Sequence, residues 1–129
     1  MIVVDASVLA PVVADDGVDG RRYRQRLRGE AVALPDLARI EVISVIRRQL
    51  HAGAIDESQA ARAVDDLLGL PLVVYPTGPL LRRSWVLHSN VTAYDGCYVA
   101  LAELLDCPLL TADTRLSRLP GLNCAIEVL

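Results

Sequence analysis

Five short apolar segments, separated by stretches with helical features, constrain the fold of this protein more than anything else in its sequence. They cover residues 1–5 (MIVVD), 31–34 (AVAL), 72–75 (LVVY), 108–111 (PLLT) and 124–129 (CAIEVL). Continuously apolar strands that alternate with helices are typical of a parallel sheet covered on both faces. The sequence therefore predicts an α/β fold in which about five strands form a central, mainly parallel sheet.

The stretches between the strands are predicted to form helices. Pro11 is expected to limit or kink the first helix, and Asp36 to cap the third, which Gly53 ends. Asp56 or Ser58 is expected to begin the fourth. The predicted helices cover residues 7–14, 17–29, 37–52, 56–69, 79–89 and 93–106, with a helical turn over 113–119. Because the chain has 129 residues and no linker or repeat, we expect a single domain over residues 1–129.

The charge balance limits the way in which this chain can bind nucleic acid. The net charge is −3, and all thirteen basic residues are arginines. A protein dedicated to duplex DNA is usually basic, so any nucleic-acid contact here is expected to be local or aided by bound cations. The apolar fraction of 53% is high for a small protein. Part of that apolar surface is expected to cover an interface with a partner.

The cysteines and the amino terminus indicate a protein of the cytoplasm. The three cysteines, Cys97, Cys107 and Cys124, form no CxxC or Cys/His spacing, which argues against a disulfide framework and against structural zinc. The first residues, MIVVDAS, place an acid at position 5 and lack the basic region of a signal peptide. No apolar run approaches the roughly 20 residues that span a bilayer, so no membrane association is expected.

Four carboxylates are placed where a parallel sheet can bring them together. Asp5 ends the first strand and Asp113 follows the fourth. The carboxyl ends of parallel strands share one edge, where ligand sites form, so these two acids are expected to approach each other. Glu41 lies in the first turns of the helix after the second strand and can join them. Asp95 joins them only if its helix begins at the same edge, which the pattern leaves open.

Each of these acids also has a purely structural interpretation. Asp5 and Asp113 are each in a position to cap a following helix, and Asp95 completes the capping-box pattern that begins at Thr92. Glu41 is harder to explain in this way, because the residues around it are apolar. An ionised glutamate on a packed helix face is costly unless it is paired or bound to a metal.

Taken together, the four acids favour a metal site. Two carboxylates about 6 Å apart repel each other by roughly 3 kcal/mol at an effective dielectric constant near 20. Four would destabilise the fold or become protonated unless a cation neutralised them. Ligands that are all oxygen select a hard ion, Mg²⁺ or Mn²⁺, over zinc. Such an ion can activate water and stabilise charge on a phosphodiester, which predicts a metal-dependent hydrolase.

Several motifs of this chain resemble those of PIN-domain nucleases. They are the opening VVDASVL, the mid-helix Glu41, the segment YDGCYVALAELL and the segment LLTADTRL, and their order and spacing span nearly the whole chain. The likeness is greatest to the VapC-type toxins of bacterial toxin–antitoxin modules. The resemblance implies a three-layer α/β/α sandwich and a Mg²⁺-dependent endoribonuclease, with Mn²⁺ as a possible substitute. It also implies a homodimer and a cognate antitoxin.

The resemblance also implies roles for single residues. Asp5, Asp95 and Asp113 would bind the metal, and Glu41 would orient water or a second ion. Two hydroxyl residues, Ser7 and Thr111, would support the acids. Some members of the family carry a further acid just after the fourth aspartate. In this chain that stretch reads Thr114, Arg115, Leu116, which argues against a tightly held second metal.

Other polar and aromatic residues allow two interpretations. Arg115 and Arg118 follow Asp113 closely and are predicted to contact RNA phosphates. The five arginines between Arg21 and Arg28 are interpreted as a solvated helix face, with contacts to RNA or to an acidic antitoxin segment as the alternative. Trp85 and the four tyrosines are expected to serve in packing. The two histidines lack the Ser or Cys motif that histidine catalysis needs.

Two functions other than a nuclease are also compatible with acids at the ends of parallel strands. A haloacid-dehalogenase-type phosphatase or a receiver domain also places aspartates at strand ends, but both normally use a lysine, and this chain has none. The phosphatase pattern also wants an aspartate at the position of Ser7. The second alternative is a PIN-like module that binds RNA or assembles without catalysis. The presence of all four acids argues against it.

Overall fold

A fully parallel five-stranded sheet forms the middle of the protein. The computed structural model describes residues 1–129, and its strands occur in the order β3-β2-β1-β4-β5. This confirms the predicted α/β class and the parallel sheet. The strands are shorter than the apolar segments that predicted them: β1 (Ile2–Val4), β2 (Val32–Pro35), β3 (Val73–Tyr75), β4 (Leu109–Thr111) and β5 (Ile126–Val128).

The middle strand, β1, is apolar throughout because it is covered on both faces. Val3 pairs with Ala33 of β2 on one side and with Leu109 of β4 on the other, and all three residues are fully buried. The outer strand β3 behaves differently, since Val73 and Val74 are exposed. Continuous apolar sequence therefore marks the buried centre of the sheet correctly but overstates the burial of its edge.

Helices form two layers around the sheet. In one layer, the first helix of the chain contacts each of the next three. In the other layer, the fifth helix contacts the sixth, which lies against β1, β2 and β4. This arrangement is the α/β/α sandwich that the resemblance implied. None of these helices is both long and apolar enough to span a membrane. The helices are α1 (Ala6–Ala14), α2 (Val18–Arg26), α3 (Leu37–His51), α4 (Glu57–Gly69), α5 (Leu81–Val86) and α6 (Ala93–Leu104), with single 3-10 turns at Gly78–Leu80 and Leu116–Arg118.

The structure tests the expectations about helix ends. Helix α1 contains Pro11 and ends at Ala14, where the sequence predicted its end. Asp36 precedes α3 but does not cap it with its side chain, which instead accepts a hydrogen bond from the Thr77 hydroxyl. Asp56, not Ser58, begins α4, in a reciprocal capping box with Gln59.

The strand order creates a crevice at the carboxyl edge between β1 and β4. From β1 the chain moves outward to β2 and β3, and it then crosses back to β4 on the other side of β1. In open parallel sheets, ligands bind at the point where the strand order reverses. Asp5 directly follows β1, and Asp113 follows β4 by two residues. The topology therefore places these two acids on either side of the crevice.

Helix α6 is held against α5 by a close approach at Gly96. A Cβ atom at this position would lie 2.4 Å from Ser84 Oγ and 3.0 Å from Ser84 Cα. The Ser84 hydroxyl donates a hydrogen bond to the Ala93 carbonyl, 2.7 Å away, across the same contact. Gly96 is the neighbour of Asp95, so the packing of these two helices also fixes the position of an acid of the predicted site.

We predict that Gly96→Ala lowers the free energy of unfolding by about 1–3 kcal/mol, because the added methyl group must push α5 and α6 apart. Urea denaturation of the metal-free protein measures the change. The matched control is Gly69→Ala at the end of α4, where a Cβ meets no atom within 4 Å. That variant should be as stable as the wild type or slightly more stable. Equal stability of Gly96→Ala and the wild type would show that the helices can separate without cost.

Candidate active site

Asp5 is buried where β1 ends and α1 begins. Its side chain accepts hydrogen bonds from the backbone N–H of Ser7, at 3.0 Å, and from Ser7 Oγ, at 2.5 Å. The first of these bonds makes Asp5 the N-cap of α1, so the structural role and the position in the crevice belong to one residue. Burial raises the pKa of Asp5 even though the hydrogen bonds act to lower it. The folded protein therefore disfavours the charge of this carboxylate.

Hydroxyl groups join the carboxyl ends of β1 and β4. Thr111 Oγ1 donates to Asp5 Oδ2 at 2.6 Å and accepts from the backbone N–H of Asp113 at 3.0 Å. Ser7 Oγ accepts from the backbone N–H of Ala112 at 2.9 Å. Both hydroxyl groups therefore lie between the acid after β1 and the turn after β4. Thr111 is fully buried, so its hydrogen bond to Asp5 is shielded from water.

Asp95 lies in the first turn of α6, which begins at the same edge of the sheet. Thr92 Oγ1 accepts from the backbone N–H of Asp95 at 3.2 Å, but the Asp95 carboxylate accepts no hydrogen bond from the backbone N–H of Thr92. Only half of the predicted capping box is formed. Burial raises the pKa of Asp95, and the charges of Asp5 and Asp113 raise it further. Asp95 is thus an electrostatic neighbour of both acids, which the sequence pattern had left open.

Glu41 is attached to α6 through a buried tyrosine. Tyr98, which is 1% exposed, donates its hydroxyl proton to Glu41 Oε1 at 2.7 Å. Burial raises the pKa of Glu41; the tyrosine bond lowers it, and the charges of Asp95 and Asp5 raise it. Glu41 therefore belongs to the same group of charges as the aspartates. Its carboxylate is held by one specific donor, the Tyr98 hydroxyl.

Asp113 differs from the other acids because it forms a salt bridge with an arginine. Arg115 Nη2 lies 2.7 Å from Asp113 Oδ2, and Arg115 Nε lies 3.0 Å from Oδ1. These bonds lower the pKa of Asp113, whereas the pKa of each other acid is raised. Arg115 is 83% exposed, so the pair is accessible to solvent and to a ligand. Asp113 does not cap the 3-10 turn, whose N-cap is Arg115.

The four acids fit a divalent cation in their chemistry but do not yet converge on one point. All are oxygen donors, and three of them have pKa values raised by burial or by one another. As the side chains stand, no three His, Cys, Asp or Glu residues are close enough to hold one ion. Arg115 also occupies both oxygens of Asp113. Sharing an ion therefore requires Asp113 to exchange Arg115 for the metal and the other carboxylates to turn inward.

Tyr98 is the residue of this site that the sequence interpretation missed. It was assigned to packing, and it is indeed buried, but its hydroxyl positions Glu41. The signal was its spacing, because residues three apart share one helix face and Tyr98 follows Asp95 by three. The argument that Glu41 lies on a packed face was partly wrong. Its neighbours Ile40 and Ile43 are exposed.

The remaining polar and aromatic residues fall into two groups. Arg24 and Arg26 of the basic segment are engaged within the fold, with the carbonyls of Val12 and Asp15 and with Glu127. This corrects the interpretation of the segment as only a solvated face.

Trp85 and Tyr94 are 71% and 59% exposed, so the expectation that they serve in packing was wrong. Trp85 stacks on His88, with ring centroids 4.4 Å apart. Arg118 is exposed, and its predicted contact with phosphate stays a prediction.

Comparison with known proteins agrees with this fold. A family model described as PIN domain matches residues 2–122. The chain belongs to the PIN domain family and, within it, to the VapC group, as its similarity to proteins of that name over nearly its whole length demonstrates.

Individual relatives extend over most of the chain. It is 41% identical to Ribonuclease VapC1 of Mycobacterium tuberculosis over 127 residues, which are 98% of this chain and 96% of the relative. The crystal structure of PAE2754 from Pyrobaculum aerophilum is similar, with a TM-score of 0.74, 25% identity and coverage of 98% and 83%. The fold also resembles a chain of a toxin–antitoxin complex from Klebsiella pneumoniae, with a TM-score of 0.70, 17% identity and coverage of 99% and 97%.

We predict that Thr111→Val destabilises the metal-free protein by about 1–3 kcal/mol at neutral pH, because Asp5 Oδ2 loses its buried donor. Removing the donor raises the pKa of Asp5 further. The loss therefore applies while Asp5 is ionised, and it shrinks as the pH falls and the carboxyl becomes protonated. Urea denaturation at neutral and acidic pH measures this. Thr114→Val, on the exposed turn nearby, serves as the control and should change stability by less than about 0.5 kcal/mol. A loss that is independent of pH would contradict the role of Thr111 as a donor to the charged carboxylate.

Proposed function

We propose that this protein is a metal-dependent endoribonuclease that hydrolyses RNA phosphodiesters at the carboxyl edge of its sheet. The observation that carries the proposal is that Asp5, Glu41 and Asp95 have raised pKa values at one edge of the sheet and that none of them forms a salt bridge. A group of acids without a counter-charge costs stability, and a bound divalent ion would remove that cost. RNA as the substrate is supported by similarity to a relative named as a ribonuclease.

Different residues at this edge of the sheet are proposed to have different roles in the reaction. Asp5, Asp95 and Asp113 would hold Mg²⁺, or Mn²⁺ in its place, with Ser7 and Thr111 fixing the orientation of Asp5. The ion supplies a Lewis acid that activates water and offsets charge on the phosphoryl oxygens. Glu41, whose orientation is set by Tyr98, would accept a proton from the attacking water or orient it.

Arg115 would serve the substrate once it leaves Asp113. Its guanidinium is exposed and can form bidentate hydrogen bonds with a phosphate group as well as with a carboxylate. Once released from Asp113, the arginine would be available for an RNA phosphate beside the scissile one. Arg118, exposed one turn later, is proposed as a second phosphate contact.

We also propose that the protein acts in the cytoplasm as the toxin of a toxin–antitoxin pair. Its place in the VapC group and the fold it shares with a chain of a toxin–antitoxin complex support a cognate antitoxin. Exposed apolar side chains on and near α5, namely Leu81, Trp85, Val86 and Leu104, are in keeping with protein partners. A homodimer is proposed on the same grounds.

The direct test is cleavage of a single-stranded RNA by purified protein. With Mg²⁺ the wild type should cleave, and EDTA should abolish the activity. Asp5→Asn and Asp95→Asn should each lower the rate at least about 100-fold, because each removes a ligand charge at the centre of catalysis. The matched control is Asp19→Asn, an exposed acid in the first turn of α2, which should cleave like the wild type.

Other outcomes would overturn the proposal in different ways. Equal cleavage by the wild type, by Asp5→Asn and in EDTA would indicate a contaminating nuclease or a mechanism without metal. RNA binding without cleavage under any condition would favour a non-catalytic RNA-binding or assembly module. Circular dichroism of each variant separates loss of chemistry from loss of fold.

A further inference from the structure

An open groove of about 600 Å³ lies directly beside the acids and is not explained by the chemistry proposed for them. It shares Ser7 and Glu41 with the site, and Tyr94 on its wall is the residue before Asp95. Its volume is within the range of roughly 300–1,000 Å³ that is typical of small-ligand sites. A group that lies in this groove would therefore be adjacent to a phosphodiester bound at the acids.

The groove is lined by both apolar and polar side chains. Leu37, Ile40 and Val45 supply aliphatic surface, and Ser44 supplies a hydroxyl group. Ile40 is 71% exposed. Together with Ser44, which is also exposed, it leaves this part of α3 accessible to a ligand.

Tyr94 and Arg48 complete the groove on opposite elements, α6 and α3. Tyr94 is 59% exposed, so most of its ring is free for stacking. Arg48 takes part in none of the ion pairs of the structure, which use Arg26, Arg83 and Arg115. It is the one basic residue that lines the groove, where Glu41 contributes negative charge. The groove thus combines a flat aromatic surface and an apolar floor with a single free cation.

The group that matches this combination is a nucleotide. A base stacks on an aromatic ring in a way that tolerates any sequence, and its backbone phosphate binds an arginine. We propose that the groove binds the nucleotide adjacent to the scissile phosphodiester of a single-stranded RNA, with its base stacked on Tyr94 and a phosphate on Arg48. This inference rests on the proposed ribonuclease function and adds a substrate-binding subsite to it.

The test measures binding of a fluorescein-labelled single-stranded oligoribonucleotide by anisotropy, in EDTA, so that cleavage plays no part. Tyr94→Ala should weaken binding about tenfold, and Tyr94→Phe should bind like the wild type, because the ring and not the hydroxyl carries the contact. Val18→Ala, at an exposed apolar residue of α2 outside the groove, is the control and should leave the affinity unchanged. A tenfold loss in both alanine variants would overturn the assignment to the groove.

The arginine is tested by the salt dependence of the same binding. Arg48→Gln should weaken binding and reduce the slope of log affinity against log salt by about 0.7, the value for one phosphate contact on a single strand. Arg47→Gln, one position along the same helix and outside the groove, is the matched control and should leave the slope unchanged. Identical slopes in both variants would contradict a phosphate contact at Arg48.

Two further outcomes separate this inference from the proposed function. Selective loss of binding in Tyr94→Ala and Arg48→Gln would support the subsite even if no condition gave cleavage. Normal RNA binding by Tyr94→Ala, together with a changed oligomeric state in size-exclusion chromatography, would overturn it and identify the groove as a protein interface. Far-UV circular dichroism of the variants should match the wild type, because both side chains are exposed.

Discussion

The buried carboxylate of Asp5 ties the architecture of this protein to its chemistry. It caps α1, accepts a hydrogen bond from Thr111 at the end of β4, and lies in the crevice where the strand order reverses. Thr111 and Asp5 are 106 positions apart in sequence, so their hydrogen bond joins distant parts of the chain. Through it, the centre of the sheet and the candidate active site become one structure. The other acids are arranged around a charge that the fold itself has buried.

This arrangement of acids lowers the stability of the metal-free folded state. Burial raises the pKa values of Asp5, Glu41 and Asp95, and neighbouring acids raise those of Glu41 and Asp95 further, so the folded state disfavours their charged forms. Only Asp113 forms a salt bridge, with the exposed Arg115. Groups kept in an unfavourable charge state within a crevice are typical of functional sites, where a ligand supplies the missing interaction. The same charges that weaken the metal-free fold would supply the binding energy for the divalent ion that we propose.

The sequence predicted those parts of the structure that depend on strand order and on the positions of strand ends. Asp5 and Asp113 could be placed together because parallel strands share an edge, and the apolar runs identified β1 and β4 correctly. The side-chain contacts could not be predicted in the same way. The bond from Tyr98 to Glu41, the pairing of Arg115 with Asp113 and the exposure of Ile40 depend on how helices rotate about their axes. Apolar character alone does not determine that rotation.

The most direct measurement of the central claim is the thermal stability of the wild type and Asp95→Asn, each in EDTA and in millimolar Mg²⁺ at neutral pH. In EDTA, Asp95→Asn should have the higher Tm, because the folded state disfavours the charge that it removes. Mg²⁺ should raise the Tm of the wild type and leave that of Asp95→Asn nearly unchanged. A wild-type Tm that does not respond to Mg²⁺ or Mn²⁺, together with a less stable Asp95→Asn in EDTA, would contradict the account.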